Sequence, residues 1–360
     1  MNYKHDYLSK KAKELTPYVA GLQPQDHGWI KLNTNENPYP PSPKVLEAIA
    51  DADIERLRLY PDGDSAALKE AIAAKLYVNP ENIFCGNGSD EVLALAFQAF
   101  FGGKNNILTP DISYGFYPVW GSTYDVGLEL RPLGEDYTID PKDYKNANGV
   151  VIANPNAPTS LALELSQIEQ ILCQNPNGVV LIDEAYIDFA DVESAASLLS
   201  EHENLLVVRT FSKSHSLAGM RVGYAIGHPS LIEALGRVRD AFNSYPLDML
   251  AQIAAIAAIK DSIHIFRTRK KVKSTRENTI ATLQEMGFHV LPSQTNFLLV
   301  KTPAAGELYN FLLSNKILVR YWDKPQLSSF LRVTIGTDKD MEAFIKCVQK
   351  FINERPTRQI

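Results

Sequence analysis

Between Asn82 and Gly227 short apolar runs recur, each closed by a turn signal and most followed by residues with a helical period. NIFC precedes GNGSDEVLALAFQAF, NILTP precedes YGFYPVW, and GVVIANPNAPT precedes ELSQIEQILCQ; GVVLIDEAY, NLLVVRTFS and RVGYAIG follow. Runs dense in Val, Ile and Leu with little alternation suit strands buried on both faces. Strands alternating with helices predict an α/β fold, a mostly parallel sheet covered by helices. Beyond Tyr245 the pattern changes. A helix from about Leu247 to Lys260 leads into a longer one ending near Gly287. FHVLP, NFLLVKT, ILVRYW and FLRVTIG then read as strands, with helices near Ala304–Asn315 and Asp338–Asn353. This second part reads as a smaller α+β domain. The first 45 residues read as a helix and an extended arm, because the four prolines of NTNENPYPPSP forbid regular helix. The expected division is 1–45 for the arm, 46–250 for a large domain and 251–360 for a small one, with the second boundary between 240 and 260.

A chain of 360 residues with 45% hydrophobic and 22% charged side chains has the length for two or three domains and the composition of a globular protein. A net charge of −6 argues against a general electrostatic grip on nucleic acid. The basic stretch Phe266–Glu277 sits in a helical period with Ile265, Val272, Ile280, Leu283 and Met286 on one face, so its cations read as a solvated face. The three cysteines, Cys85, Cys173 and Cys347, are far apart and lack metal-ligand spacing, which suits free thiols in a reducing compartment. The N-terminus is polar and basic without an apolar signal core, and the most apolar stretch, Leu250–Lys260, is too short to span a bilayer. A cytoplasmic protein with no membrane partner is expected.

Several clusters carry chemistry. In TFSKSHSLAGMRVGY, Lys213 follows a buried strand, and a desolvated lysine can form a Schiff base. Ser212, Ser214 and Arg221 around it suit an anion such as a phosphate; the competing reading is a polar loop with a solvated lysine. His215, the histidine nearest this cluster, reads as a hydrogen-bonding residue. Asp183 ends the apolar run GVVLI, where a parallel sheet faces its ligand crevice. A carboxylate there needs a metal, an arginine or a protonated ring nitrogen, and no His or Cys has the spacing for a metal site. In CGNGSDEVL, Ser89 is placed to cap a helix starting at Asp90, with free N–H groups for an anion. Glu91 stands where a dinucleotide fingerprint needs its third glycine, and a tight turn with a cap is the plainer reading. Arg320 and Arg332 lie in apolar strand-like runs, suited to carboxylate or phosphate capture or to a buried ion pair.

Together a Schiff-base lysine, a carboxylate for a pyridinium nitrogen and a phosphate cup are what pyridoxal 5'-phosphate needs. The ordered set GSDE, SYGFY, NPNAPT, DEAY, SKSHSLAGMRVGY and FLRVTIG, with LTPYVAG, LNTNENP and YPDG near the start, resembles the fold-type-I, class II PLP-dependent aminotransferases. Among them it is most similar to the histidinol-phosphate aminotransferases, over almost the whole chain. The resemblance implies a seven-stranded, mostly parallel sheet sandwiched by helices in the large domain. It also implies a PLP-dependent exchange of the amino group between L-histidinol phosphate and 2-oxoglutarate, giving imidazole-acetol phosphate and glutamate. It assigns Lys213 to the Schiff base, Asp183 to the pyridine nitrogen, Tyr186 to the ring hydroxyl and Tyr114 to stacking. Ser212, Arg221 and the backbone of Ser89, Asp90 and Glu91 fall in the phosphate cup. Tyr60 matches a residue reaching the neighbouring subunit's cofactor, which makes the active unit a homodimer with shared sites. Tyr18, Asn35, Arg320 and Arg332 fall on the substrate. The chain departs from the usual NPNNPTG loop, with Ala157 for the second asparagine and Ser160 for glycine. Asn156 or a water is then expected to replace the missing donor. An aromatic aminotransferase or a phosphothreonine decarboxylase on the same scaffold, and more remotely a non-catalytic PLP-binding regulator, are the alternatives.

Overall fold

The apolar runs form a single seven-stranded sheet in a computed structural model that describes residues 7–354 except Ala20 and Gln25, so the outer ends of the arm and of the C-terminal segment lie outside the described residues. Its strands are β2 (Ile83–Asn87), β3 (Ile107–Pro110), β4 (Leu128–Arg131), β5 (Gly149–Ala153), β6 (Val179–Asp183), β7 (Leu205–Thr210) and β8 (Val222–Gly227). They lie in the order β2-β8-β7-β6-β5-β3-β4. Only β8 runs against its neighbours. Successive residues of a strand face opposite sides, and both sides are apolar. Val150, Ile152, Val180, Ile182, Leu205 and Val207 pack on one side with Leu68, Ile72, Ile168 and Ala254 from helices. Val151, Leu181, Leu206 and Val208 pack on the other with Val92, Phe97, Trp120 and Leu235. Burial on both faces is the physical reason the strands lack alternation. Strand β4 is the exception. It is a half-exposed edge whose LELR sequence alternates, so it lacks the unbroken apolar run of the other strands.

A second, antiparallel sheet has the order β12-β13-β10-β9, from β9 (His289–Val290), β10 (Phe297–Lys301), β12 (Arg320–Tyr321) and β13 (Phe330–Thr334). The run ILVRYW, expected as one strand, splits. Its first part, β11 (Ile317–Leu318), pairs in parallel with β1 (Ile30–Lys31) of the arm. Leu32 of the arm is buried in the small-domain core with Val333 and Ile335. The helix Asp338–Asn353 closes this body, started by a capping box in which Thr337 and Asp340 satisfy each other's backbone N–H groups. The helix Met249–Lys260 packs Ala251, Ala254, Ala255 and Ala258 into the core of the large sheet, so that core continues past residue 250. A bend of 77° then leads into the helix Ser262–Glu285. Among the described residues no single helix is long and apolar enough to cross a membrane.

Candidate active site

Because β2, β3, β5, β6 and β7 all run the same way, their C-terminal ends meet at one edge of the sheet. Chains leaving that edge carry Ser89, Tyr114, Ala157, Asp183 and Lys213, and the reversed β8 begins there just after Arg221. Together with Asn35 and Arg332 they line a cavity of about 480 Å3. A second cavity of about 260 Å3 shares Tyr18, Tyr114, Ala157, Tyr186 and Arg332 and continues the first toward Trp322.

Lys213 Nζ donates to the carbonyl of Thr34 at 3.3 Å and sits 5.6 Å from the centre of the Tyr186 ring. Asp183, 5% exposed, accepts from the Tyr117 hydroxyl at 3.1 Å and from the Ala185 N–H at 3.1 Å. Burial outweighs these bonds and pushes its carboxyl from 3.8 up to about 6. No cation pairs with Asp183 among the described residues, so the site favours a proton or a cationic ring nitrogen beside it. Tyr117 was not singled out from the sequence. It follows Tyr114 by one turn, with its N–H on the Tyr114 carbonyl at 3.1 Å, and only the fold sets its hydroxyl beside Asp183. Tyr114 gives its hydroxyl hydrogen to Asp90 at 2.8 Å, and burial with the Asp90 charge raises its phenol well above the ordinary range.

The start of the helix Gly88–Ala96 depends on two glycines. Gly88 has φ +80°, and a Cβ there would lie 2.5 Å from Arg221 Nη2; a Cβ on Gly223 would lie 2.3 Å from Ser89 N. Arg221, itself left-handed at φ 53°, reaches Asp90 at 3.3 Å. The expected cap is corrected: the helix begins at Gly88, Asn87 precedes it, and Ser89 lies inside the first turn. Glu91 does not line the cavity. Its carboxylate folds back to accept the Asn87 N–H at 2.6 Å, which frees Ser89 from capping.

Asn156 is corrected as well. It is buried away from the cavity, giving both amide hydrogens to Ile112 O (2.9 Å) and Thr159 Oγ1 (3.0 Å) and accepting from Ser113 at 2.8 Å. It therefore has no donor left to replace the one missing at Ala157, which does line the cavity. Ser160 holds φ +66°, the left-handed conformation that glycine adopts freely. Tyr60 is 82% exposed and stacks on Tyr245 at 4.6 Å, outside its own chain's cavity. Arg320 also lies outside the cavity lining, binding the Val19 carbonyl at 2.9 Å and covering Trp322.

Arg332 donates to Asn33 O at 2.8 Å and lies 5.3 Å from the rings of Phe297 and Trp322. Its Nε is buried without a hydrogen-bond partner, and burial pulls the guanidinium below its ordinary value. Such a cation wants an anion. Tyr18 stacks on Phe116 at 4.3 Å, and both line the cavity. Glu36 also lines the cavity; burial would raise its carboxyl, but Lys31, Thr34 and Lys213 together hold it below the ordinary value. Behind Lys213, Ser214 binds Asp188 and approaches His215 Nδ1 at 2.9 Å, and burial lowers His215 to about 4. His215 is thus a neutral hydrogen-bonding residue.

An amine for a carbonyl, a carboxylate that favours a protonated ring nitrogen, aromatic walls and an unsatisfied guanidinium fit pyridoxal phosphate and an anionic substrate. The profile of the class I and II aminotransferase family matches residues 27–348. The chain is 49% identical to the histidinol-phosphate aminotransferase of Brachyspira hyodysenteriae over 96% of its length and 99% of the relative. It is 49% identical to that of Acinetobacter baylyi over 98% and 99%. The crystal structure of the histidinol-phosphate aminotransferase from Clostridium acetobutylicum superimposes with a TM-score of 0.83 at 25% identity, covering 90% of this chain and 99% of that one. That of the Sinorhizobium meliloti enzyme in complex with pyridoxal-5'-phosphate does so with a TM-score of 0.88 at 24% identity, covering 97% and 98%.

Proposed function

We propose, from the premise that the chain belongs to the class I and II aminotransferase family, that it moves the amino group of L-histidinol phosphate to 2-oxoglutarate, using pyridoxal phosphate. The observation that carries this reading is the shared cavity of Lys213, the buried Asp183 and the unsatisfied guanidinium of Arg332. Near-full-length relatives at 49% identity support the substrate.

Bound pyridoxal phosphate supplies a carbonyl that takes up the amino group and a ring that accepts the electrons of the substrate α-carbon. The chain's own residues do the rest. Lys213 gives the cofactor its attachment and carries the proton to and from the α-carbon, positioned by the Thr34 carbonyl. Asp183 keeps the ring nitrogen protonated, and Tyr117 keeps Asp183 in place. Tyr186 donates to the ring hydroxyl. The first turn of the helix Gly88–Ala96, with Ser212 and Arg221, takes the phosphate of the cofactor, and Tyr114 walls the ring. Arg332 meets the substrate anion. Histidinol phosphate brings a phosphate and glutamate brings carboxylates, so one guanidinium serves both half-reactions. Tyr18, stacked on Phe116 in the cavity lining, shields the reacting atoms from water, and Arg320 holds the arm beside it through the Val19 carbonyl.

The exposed Tyr60 supports a homodimer in which this residue completes the partner's site. The unpaired thiols of Cys85, Cys173 and Cys347 suit the cytoplasm. The two sheets support a division into an arm, a large domain and a small domain, with the helix Met249–Lys260 counted to the large one. The test is glutamate formation from histidinol phosphate and 2-oxoglutarate, beside phenylalanine as donor and carbon dioxide release from phosphothreonine. Histidinol phosphate should be the best donor by at least about tenfold in kcat/KM; a better rate with phenylalanine, or decarboxylation, overturns the substrate. Mixing Lys213→Ala with Tyr60→Ala chains should restore activity that neither has alone, and no restoration counts against shared sites.

A further inference from the structure

Ala157 leaves the cavity one donor short, and Asn156 cannot supply it. A different chain of hydrogen bonds ends at Tyr186, which lines the same cavity. Thr334, on β13 of the small domain, accepts the Asn35 N–H at 3.0 Å and donates its hydroxyl hydrogen to Asn35 Oδ1 at 2.9 Å. That pair of bonds directs the Asn35 amide nitrogen to the Tyr186 hydroxyl, to which it donates at 2.9 Å. Asn35 is 1% exposed and Thr334 2%. Asn296 holds the Asn35 carbonyl at 3.0 Å, and Asn35 sits at φ +59°, a conformation asparagine tolerates better than most residues. With its oxygen already accepting from Asn35, Tyr186 has its own hydrogen left to give, and its ring borders the cavity beside Lys213.

We propose that Thr334 and Asn35 are positioning residues that turn the Tyr186 hydroxyl hydrogen into the cavity, so that this phenol alone makes the donation to the ring hydroxyl that an asparagine at position 157 would otherwise share. The inference rests on the reading of the site as a pyridoxal phosphate site. The relay joins the small domain, the arm and the large domain, so the hydrogen is aimed only when all three are in register. Asn35 acts through Tyr186 in this scheme, and Thr334 acts through Asn35.

The test is a pH titration of the visible absorption of the cofactor-loaded protein. A hydrogen given to the ring hydroxyl oxygen competes with the proton shared between that oxygen and the Lys213 nitrogen, so losing it should raise the pH midpoint. Thr334→Val should raise the midpoint by about half to one unit, and Thr334→Ser should restore it. Asn35→Asp keeps the shape and the backbone conformation but offers an acceptor, which draws the Tyr186 hydrogen away; its midpoint should rise at least as far. In a Tyr186→Phe background Thr334→Val should add no shift, and Asn35→Asp only the smaller shift that its new charge brings. A parental midpoint in Asn35→Asp, or a shift from Thr334→Val that persists in the Tyr186→Phe background, overturns the relay. If Thr334→Val does not fold, the Asn35→Asp shift compared with its shift in the Tyr186→Phe background decides: a larger shift with Tyr186 present supports the relay, and equal shifts overturn it. Parental protein that takes up no visible chromophore refutes the cofactor reading, an outcome distinct from any of these.

Discussion

Replacing Asp183 by asparagine should make the cofactor-free protein more stable at alkaline pH while impairing the loaded one. The carboxyl is buried at the end of β6, and its two hydrogen bonds, from Tyr117 and Ala185, do not offset the loss of water. Its folded value of about 6 lies above the ordinary 3.8. A carboxyl raised by folding costs nothing below its unfolded value. The cost grows as the pH climbs from 3.8 to about 6 and is complete above that, because the folded protein then must hold a charge it disfavours. The full cost is about 3 kcal/mol near neutrality. Asparagine has the same shape and no charge; its oxygen can still accept from the Ala185 N–H, and its amide nitrogen, in the place of Oδ2, can donate to the Tyr117 hydroxyl. Urea unfolding of cofactor-free parent and Asp183→Asn, run near pH 4 and near pH 8, reads the difference. The variant should gain about 2–3 kcal/mol relative to the parent between the two conditions. Added pyridoxal phosphate should reverse the ranking at alkaline pH, since the ring nitrogen finds its counter-charge only in the parent. A variant equally destabilised at both pH values would refute the reasoning, because the carboxylate would then be a net stabilising group in the empty site.

Other expectations follow from single contacts. Lys213→Ala should lower turnover by about a thousandfold or more while pyridoxal phosphate still binds, read by turnover and by equilibrium dialysis. Gly223→Ala places a methyl 2.3 Å from Ser89 N and 2.4 Å from Gly88 C, so the helix start must shift. Its urea midpoint should fall by the equivalent of about 1–3 kcal/mol, and its affinity for the cofactor should fall with it. Arg209→Met removes the cation 2.9 Å from the fully buried Glu184 carboxylate and should cost about 3–5 kcal/mol in unfolding free energy, much of it recovered by adding Glu184→Gln.

The strands of the large sheet were legible because burial on both faces leaves unbroken Val, Ile and Leu runs, and the C-terminal strand ends of a parallel sheet point to the site. Lys213 and Asp183 stand out in the sequence for that reason. Strand β4 does not, because an edge strand with one wet face lacks such a run. The pairing of β1 with β11 joins residues far apart in the chain, and two-residue strands carry no period of their own. The roles of Asn156 and Glu91 were misplaced for another reason. Short polar side chains choose among nearby backbone groups, and that choice is settled by loop geometry, here by the Ser113–Asn156–Thr159 bonds and by the Glu91 carboxylate folding onto Asn87. Tyr117 was hidden because an aromatic residue in an apolar helix reads as core, which it is, and only the fold sets its hydroxyl against Asp183. The link from Thr334 through Asn35 to Tyr186 spans 299 and 151 residues along the chain and had no local signal.

The most direct measurement is the visible absorption spectrum of the pyridoxal phosphate-loaded protein before and after adding histidinol phosphate, with no keto acid present. The yellow band of the lysine-bound cofactor should give way to the absorption of its amino form, at about one equivalent per site. A band that histidinol phosphate leaves unchanged, while another amino donor removes it, would contradict the proposed half-reaction.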